Sequence, residues 1–467
     1  MRFNPISKLP SAQRMQIWVI AAIGLAALAL VLNIRWTWAS DDVNFLNFSN
    51  QFERQLIPFL QMRLATWTSR VAIETVSFTL VNHVFWWRIG TAISFWVCII
   101  LPPFFITRSV RQRLALFPAS ALLVLSIPNT VWFDAGFIVT SVVYLWVLSA
   151  SLLAVTPAIY LIQRRRLNPL WYLVAIPAAV FAGSSELAAA LMAGLFAYTV
   201  ALQFRRWWVS RSSETLVAAI IPALFLVFMI GMVIFHLTST GNAARGQSAN
   251  WVGPGALATI EKAYSSTLRQ LYTRSYVIPI AYFALVAYRN YQRRGWSIFT
   301  WLSIAPIAGA LLLQDPYKEG TMSTMISNTF TAGNLLWDPT GPALIPTFYP
   351  ANLFVLALLS FLLIATAAAT IGATGWNANG IVALVILAAG LFTKFIVVNT
   401  VGLALDLQFH RTDLYLLFAF GLATLLTVAD GLIPTGSPNR PAPAPAAANA
   451  TEFGTVSEDG AASGARR

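Results

Sequence analysis

Long apolar runs alternate with short polar punctuation along this chain. The first run, IWVIAAIGLAALALVLNIRW, is long enough as a helix to cross a hydrocarbon core of about 30 Å. Runs of this kind predict spans at 16–36, 88–107, 114–133, 137–161, 168–183, 186–204, 215–237, 275–291, 297–313, 351–371, 380–399 and 413–431. The expected fold is therefore all-α: a polytopic membrane protein with about 12 transmembrane helices. Between the first two spans the pattern changes. Leu56, Phe59, Leu60 and Leu64 form one apolar stripe, with Glu53, Arg54, Gln61 and Arg63 elsewhere. That spacing predicts an interfacial helix in the first external loop. Residues 314–350 are rich in Gly, Pro, Ser and Thr and predict an ordered external loop. The stretch after Pro434 is rich in Pro, Ala and Gly. It divides the chain into a membrane domain, 1–434, and a cytoplasmic tail, 435–467, expected to be disordered.

Composition agrees with solvation by lipid: 58% of residues are hydrophobic and 10% charged, with a mean hydropathy of +0.68. The single cysteine, Cys98, excludes an intramolecular disulfide and a thiolate zinc cluster. No small-residue cleavage site follows the first run, so it is expected to remain as an anchoring helix. The formal charge of +13 changes meaning once it is placed on the chain. Basic clusters at 108–113, 163–168, 205–211 and 289–294 fall between alternate spans, on the same side as both termini. That side carries 18 of the 30 Lys and Arg but 5 of the 17 acids, leaving 12 of each on the other. The positive-inside rule makes the basic side cytoplasmic, with both termini inside. The charge is thus a topology signal, and no nucleic-acid partner is expected.

Ionisable groups at a membrane edge are costly, which makes each a candidate for chemistry. Asp41 and Asp42, in RWTWASDDVNF, follow the first span directly. They fit either a solvated helix end or a general base with a neighbour that orients groups or holds a metal. Two adjacent acids near apolar surface also favour a raised pKa for one of them. Arg70, in TWTSR, fits an i,i+4 helical pair with Glu74 or a guanidinium aimed at phosphate. Asp134 is expected at an outward turn. Glu186 follows Ser184 and Ser185, either of which is a fitting cap for the next helix. In TSTGNAARGQ, Gly241-Asn242 reads as a turn, and Arg245 follows among small residues whose amides can approach an anion. His83, His236 and His410 lack metal-ligand spacing, and no Walker, Rossmann or nucleophile-elbow motif is present.

In motif order, SDDVNF, WTSR at 67–70, WFDAGFIVTSVVYLW at 132–146, SSE at 184–186 and TGNAARG at 240–246 resemble the GT-C superfamily of integral-membrane glycosyltransferases. Within it, the chain is similar to an uncharacterised bacterial multi-pass family related to glucosyltransferases that decorate surface polysaccharides. The resemblance covers most of residues 36 to 250. The rest matches in hydropathy and in Arg411. It implies a GT-C-like fold, a polyprenyl-phosphate-linked sugar donor and a cell-envelope glycan or lipid acceptor, with inversion at the anomeric carbon. It assigns Asp41 or Asp42 as general base and the other to acceptor binding or a divalent metal, Mg or Mn. Arg70 and Arg245 would neutralise the leaving phosphate, while Asp134, Glu186, Asn242 and Arg411 would contact substrate. The implied location is the bacterial plasma membrane, with membrane lipids around the chain, the active site facing outside, and Asp41, Asp42, Arg70 and Arg245 lining one cavity. A transporter or flippase for a lipid-linked or small solute is the alternative, disfavoured by the absence of an internal repeat. A lipid-linked polymer ligase would use arginines and a histidine in a late external loop, and 314–350 has neither.

Overall fold

The computed structural model describes residues 10–38, 40–248, 277–313, 350–375, 378–401 and 413–432. Among them every regular element is helical. The elements run α1 Ser11–Leu32, α2 Ser40–Gln51, α3 Leu56–Thr66, α4 Val71–Leu80, α5 Val84–Ile106, α6 Val110–Leu125, α7 Asn129–Phe133 and α8 Phe137–Thr140. A π-helical turn, Ser141–Trp146, then leads without a break into α9 Val147–Ile162. A short turn at Pro169–Trp171 opens α10 Tyr172–Gly183, followed by α11 Glu186–Ser210, α12 Ser213–Thr238 and α13 Thr240–Ser248. The later helices are α14 Val277–Arg294, α15 Ile298–Leu313, α16 Pro350–Thr374, α17 Ala378–Val401 and α18 Leu414–Leu432.

Six of the described helices are long and apolar enough to cross a membrane: Ser11–Leu32, Val84–Ile106, Phe137–Ile162, Glu186–Ser210, Ser213–Thr238 and Leu414–Gly431. The chain is a membrane-embedded protein whose described elements are all helical. One expected span is interrupted. Residues 114–133 divide into α6 and α7, because Pro128 has no amide to continue the ladder and disfavours helical geometry at Ile127. The tail at 435–467 and the 314–349 stretch lie outside the described residues.

The amphipathic stripe is seen as expected. Phe59 is fully buried and Leu56, Leu60 and Leu64 are half-buried, while Glu53, Arg54 and Gln61 are exposed. Phe59 stacks on Phe78 of α4 with ring centroids 4.3 Å apart. The stripe thereby fixes α3 to α4 and leaves the polar face outward.

The bundle has two chemically different ends. At one, Arg165 donates to the Phe104 carbonyl at 2.7 Å, and Arg206 donates to Leu161 and Ile162 at 3.0 and 2.7 Å. These guanidiniums satisfy carbonyls left over where α5 and α9 stop. At the same end Asp430 accepts from Arg289 at 3.2 Å and Arg293 at 2.7 Å. The other end gathers α2, α3, α4 and α13, the start of α8 and the junction of α10 with α11. Arg88 ties its edge together by donating to the carbonyls of Leu32, the last residue of α1, and Ile34 just beyond it.

Candidate functional site

The acidic pair opens α2, where the first-turn amides favour negative charge. Its two members have different surroundings. The Asp41 amide donates to the Ala135 carbonyl at 2.7 Å, joining the first acidic motif to the turn that carries Asp134. The Asp41 side chain is half-buried, as is Asp134. Asp42 is fully enclosed, and its carboxylate accepts from three consecutive amides: Phe137 at 2.7 Å, Ile138 at 3.1 and 3.2 Å, and Val139 at 2.9 Å. These are donors that the start of a helix leaves without intrahelical partners.

Gly136 makes this contact possible twice over. Its φ of +139° lies where side-chain-bearing residues are strained, and a Cβ there would stand 2.7 Å from Asp42 Oδ1. Burial pushes the Asp42 carboxyl up to about 6. The three amides pull the other way, and neighbouring Asp41 adds to the rise.

Asp42 therefore cannot line an outward cavity with Asp41, Arg70 and Arg245. Each of its oxygens already accepts two N–H contacts. Among the described residues no three His, Cys, Asp or Glu side chains form one group. With both Asp42 oxygens taken by backbone amides, Asp41 is the member of the pair whose carboxylate is partly exposed.

Arg70 immediately precedes α4, and its partner within the protein is not the Glu74 that the local spacing offered. Its Nε donates to Glu186 Oε2 at 2.7 Å, with side-chain exposures of 21% and 14%. Glu74 is taken instead by Arg63 in a two-pronged pair at 2.9 and 3.1 Å. The Arg63 guanidinium lies over Phe45, Phe48 and Trp67, within 5.5–5.7 Å of each ring. The Arg63 pair staples α3 to α4, so Glu74 is not available to Arg70. Among the described residues the side-chain hydrogen bond of Arg70 is the one from Nε, which leaves its two terminal nitrogens available. Burial opposes its charge, but Glu186, with Tyr144 and Glu74 adding, holds its pKa above the ordinary arginine value. Tyr415, at the start of α18, lies close to Arg70 and Tyr144. Its hydroxyl approaches Ser185 without a hydrogen bond of ordinary geometry.

Neither serine before Glu186 caps α11. Ser185 makes no such bond, and Ser184 accepts from the Ala72 amide of α4 at 3.0 Å. A cap expected within one hairpin thus works between elements and aligns Arg70 with Glu186.

The TSTGNAARGQ segment is a helix rather than a loop. Gly241 serves a close approach: a Cβ there would stand 2.5 Å from the Leu64 carbonyl and 2.6 Å from the Thr68 amide. The missing side chain lets α13 lie directly on α3 and the WTSR segment. Asn242 donates to Ser69 Oγ and to the His236 carbonyl, both at 2.8 Å. Ser69 Oγ lies 2.6 Å from His236 Nδ1, and His236 Nε2 lies 2.9 Å from the Gly183 carbonyl. A carbonyl only accepts, so Nε2 carries a proton, and in the neutral ring Nδ1 accepts from Ser69. The buried chain Asn242–Ser69–His236–Gly183 therefore joins α13, the approach to α4, α12 and α10. Arg245 is carried on α13 about one turn beyond Asn242. Arg411 lies outside the described residues.

Motifs far apart in sequence thus form two adjoining clusters, Asp41–Asp42 with 134–139 and Arg70 with Glu186 and α13. The two adjoin because α4 packs against both α2 and the π-helical turn that carries Tyr144. Ser69, Tyr144 and Tyr415 enter the site without having been singled out, as does His236, weighed from the sequence only as a metal ligand. Ser69 and Tyr144 sit inside quoted motifs, and His236 lies four residues before Thr240. Comparison of the chain with protein-family models, curated proteins and solved structures finds no match.

Proposed function

We propose that the chain is a GT-C-like membrane glycosyltransferase that moves a sugar from a polyprenyl-phosphate donor to an extracytoplasmic glycan, lipid or polymer acceptor. The observation that carries this reading is Arg70: a charged guanidinium whose terminal N–H groups bond to none of the described residues, in a cluster adjoining Asp41 at the end opposite the arginine-capped helix ends. An acceptor hydroxyl oxygen attacks the anomeric carbon while the carbon–oxygen bond to phosphate breaks, inverting that centre. The hydroxyl proton passes to Asp41, and the polyprenyl phosphate leaves against Arg70, with Arg245 as a second cation. Placing cations where charge develops is commonly the largest contribution to such transfers. Asp42 is assigned to positioning: it holds the 134–139 turn against Asp41. Asp134, Glu186, Asn242 and Arg411 are assigned to sugar or acceptor contacts. The twelve-span, both-termini-inside topology of a bacterial plasma-membrane protein belongs to the same reading.

The test uses purified protein in lipid nanodiscs with polyprenyl-phosphate hexoses and measures release or transfer of the sugar. Turnover that falls by about a hundredfold or more in Asp41→Asn is expected for a lost general base. A transporter or flippase would move its lipid-linked solute with the sugar–phosphate bond intact. Full turnover in Asp41→Asn, or movement without bond cleavage, removes the proposed mechanism.

A further inference from the structure

At the opposite end of the bundle, the C-termini of α5 and α9 are surrounded by guanidiniums. Arg165 donates to the Phe104 carbonyl at 2.7 Å, and Arg108 donates to the Gln163 carbonyl. Arg113 lies over the Phe104 ring, 4.5 Å from its centroid, so Arg113 and Arg165 meet on one residue. Arg164 and Arg206 feel each other's charge across the end of α9. The segments that build this end, 104–113, 160–172 and 198–213, contain no Asp or Glu. The next acid in the chain, Glu214, is exposed, and Asp430 at the same end is held by Arg289 and Arg293.

Helix capping does not use up this charge. Two helix C-termini present roughly half a negative charge each. Five guanidiniums, from Arg108, Arg113, Arg164, Arg165 and Arg206, surround them, which leaves a large positive surplus. Nor are the donors satisfied. The Arg113 side chain makes no hydrogen bond to the described protein, and its Nε is buried without a partner. A buried orphan donor between like charges calls for an anion.

The geometry points to this notch, between the end of α5 and the 163–166 turn, as a binding site for the phosphate of an anionic phospholipid headgroup. A lipid is favoured over a free phosphate by what flanks the charges. Exposed Phe204, Trp208 and Val209 on α11, and exposed Leu170 beyond the turn, offer apolar surface beside the arginines. Aromatic residues of this kind sit where headgroups meet acyl chains. Basic pockets between helix ends are a recurring form of lipid headgroup recognition. The site lies away from Asp41 and Arg70 and does not depend on the proposed transfer reaction.

Native mass spectrometry of the full chain in detergent, with phosphatidylglycerol and phosphatidylcholine added in turn, tests the assignment. Phosphatidylglycerol is expected to be retained about tenfold better, a difference that electrostatic recognition by several arginines readily supplies. Arg113→Gln and Arg164→Gln, at side chains that make no hydrogen bond to the described protein, should each cut retention several-fold at unchanged melting temperature. Arg113→Lys should keep most of it. A large excess of inorganic phosphate should leave the lipid bound. Equal retention of both lipids, displacement by inorganic phosphate, or wild-type retention in both Gln variants would overturn the proposal. Arg164 lies on an exposed turn, so its variant decides the matter if Arg113→Gln misfolds.

Discussion

Arg70 and Glu186 stand 116 residues apart in sequence, yet Arg70 Nε reaches Glu186 Oε2 at 2.7 Å. The pair bridges the start of α4 and the start of α11, and both side chains are largely out of water. Removing either partner takes a close counter-charge from the other in a poorly solvated place. Arg70→Gln and Glu186→Gln should each lower unfolding stability by about 2 kcal/mol, discounted from a fully buried pair because both side chains retain some exposure. The double variant should cost less than the sum, with a coupling of about 1 kcal/mol or more. Additive losses in a double-mutant cycle would show that the two groups do not act as a pair.

The two aspartates should part company under substitution. Asp41→Asn is expected to abolish transfer while leaving the melting temperature near that of the unmodified protein. Asp42→Asn should do the reverse in order of severity. An amide nitrogen placed against Phe137 or Val139 cannot accept, so at least one buried N–H loses its partner, a cost of about 1–3 kcal/mol. Activity lost through Asp42 should then track the loss of folded protein and return as temperature is lowered. Paired melting and turnover measurements on both variants would separate the roles. A stable but inactive Asp42→Asn would contradict them.

Asp42 also sets a direction for pH dependence. Its carboxyl titrates near 3.8 in an unfolded chain and at about 6 in the fold, so the folded state binds the proton more tightly. The stability it contributes is full below about pH 4 and is lost as pH rises through about 6. The total is on the order of 3 kcal/mol. Unfolding measured from about pH 4 to about pH 7 should show the wild type losing ground relative to Asp42→Asn. A constant difference between the two proteins across that range would rule this out.

The helices were legible because apolar runs of spanning length leave few alternatives, and the α3 stripe because its period matches a helix lying on a surface. The break at Ile127-Pro128 was missed within the expected 114–133 span, because the apolar run around it masked the signal that the proline carries. What local pattern could not supply was partnership. Arg70 and Glu74 have helical spacing, yet Arg70 sits just before α4 and turns toward α11, while Glu74 meets Arg63 from across a turn. Similarly, Gly241-Asn242 has the local chemistry of a turn. The glycine instead serves a close approach between α13 and the 64–68 backbone, which is a tertiary demand. The two aspartates were identical as residues, and only the amides of 137–139 make them different.

Two glycines should therefore resist even alanine. Gly241→Ala drives a methyl into the Leu64 carbonyl and Thr68 amide, which are backbone atoms that cannot rotate away. Gly136→Ala combines a positive φ with a clash against Asp42. Each should cost about 1–3 kcal/mol, the range for overpacking and forced backbone strain. Thermal unfolding of Gly194→Ala, at a position where a methyl meets nothing within 4 Å, provides the control. Equal melting temperatures for all three variants would mean the close approaches are not real.

The Asn242–Ser69–His236–Gly183 chain makes the last prediction, because each link uses a different property of its residue. Ser69 is the one group of this chain whose single oxygen both donates and accepts: it takes a hydrogen bond from Asn242 and gives one to the His236 ring. Ser69→Ala removes both links, taking one hydrogen-bond partner from the His236 ring and one from the Asn242 amide. His236→Gln can still donate to Gly183 but cannot accept from Ser69 in the same geometry. Both should destabilise the packing of α13 on α3 by about 1–3 kcal/mol, because buried polar groups lose partners rather than exchange them for water. The sharper expectation concerns protease access and hydrogen exchange. Opening of α13 should increase in both variants before global unfolding does, since α13 is held by this chain and by the Gly241 contact, while α12 and α10 are also fixed in the bundle. Hydrogen exchange measured on 238–248 reports that opening directly. Unchanged protection there in Ser69→Ala would show that the network does not hold α13 in place.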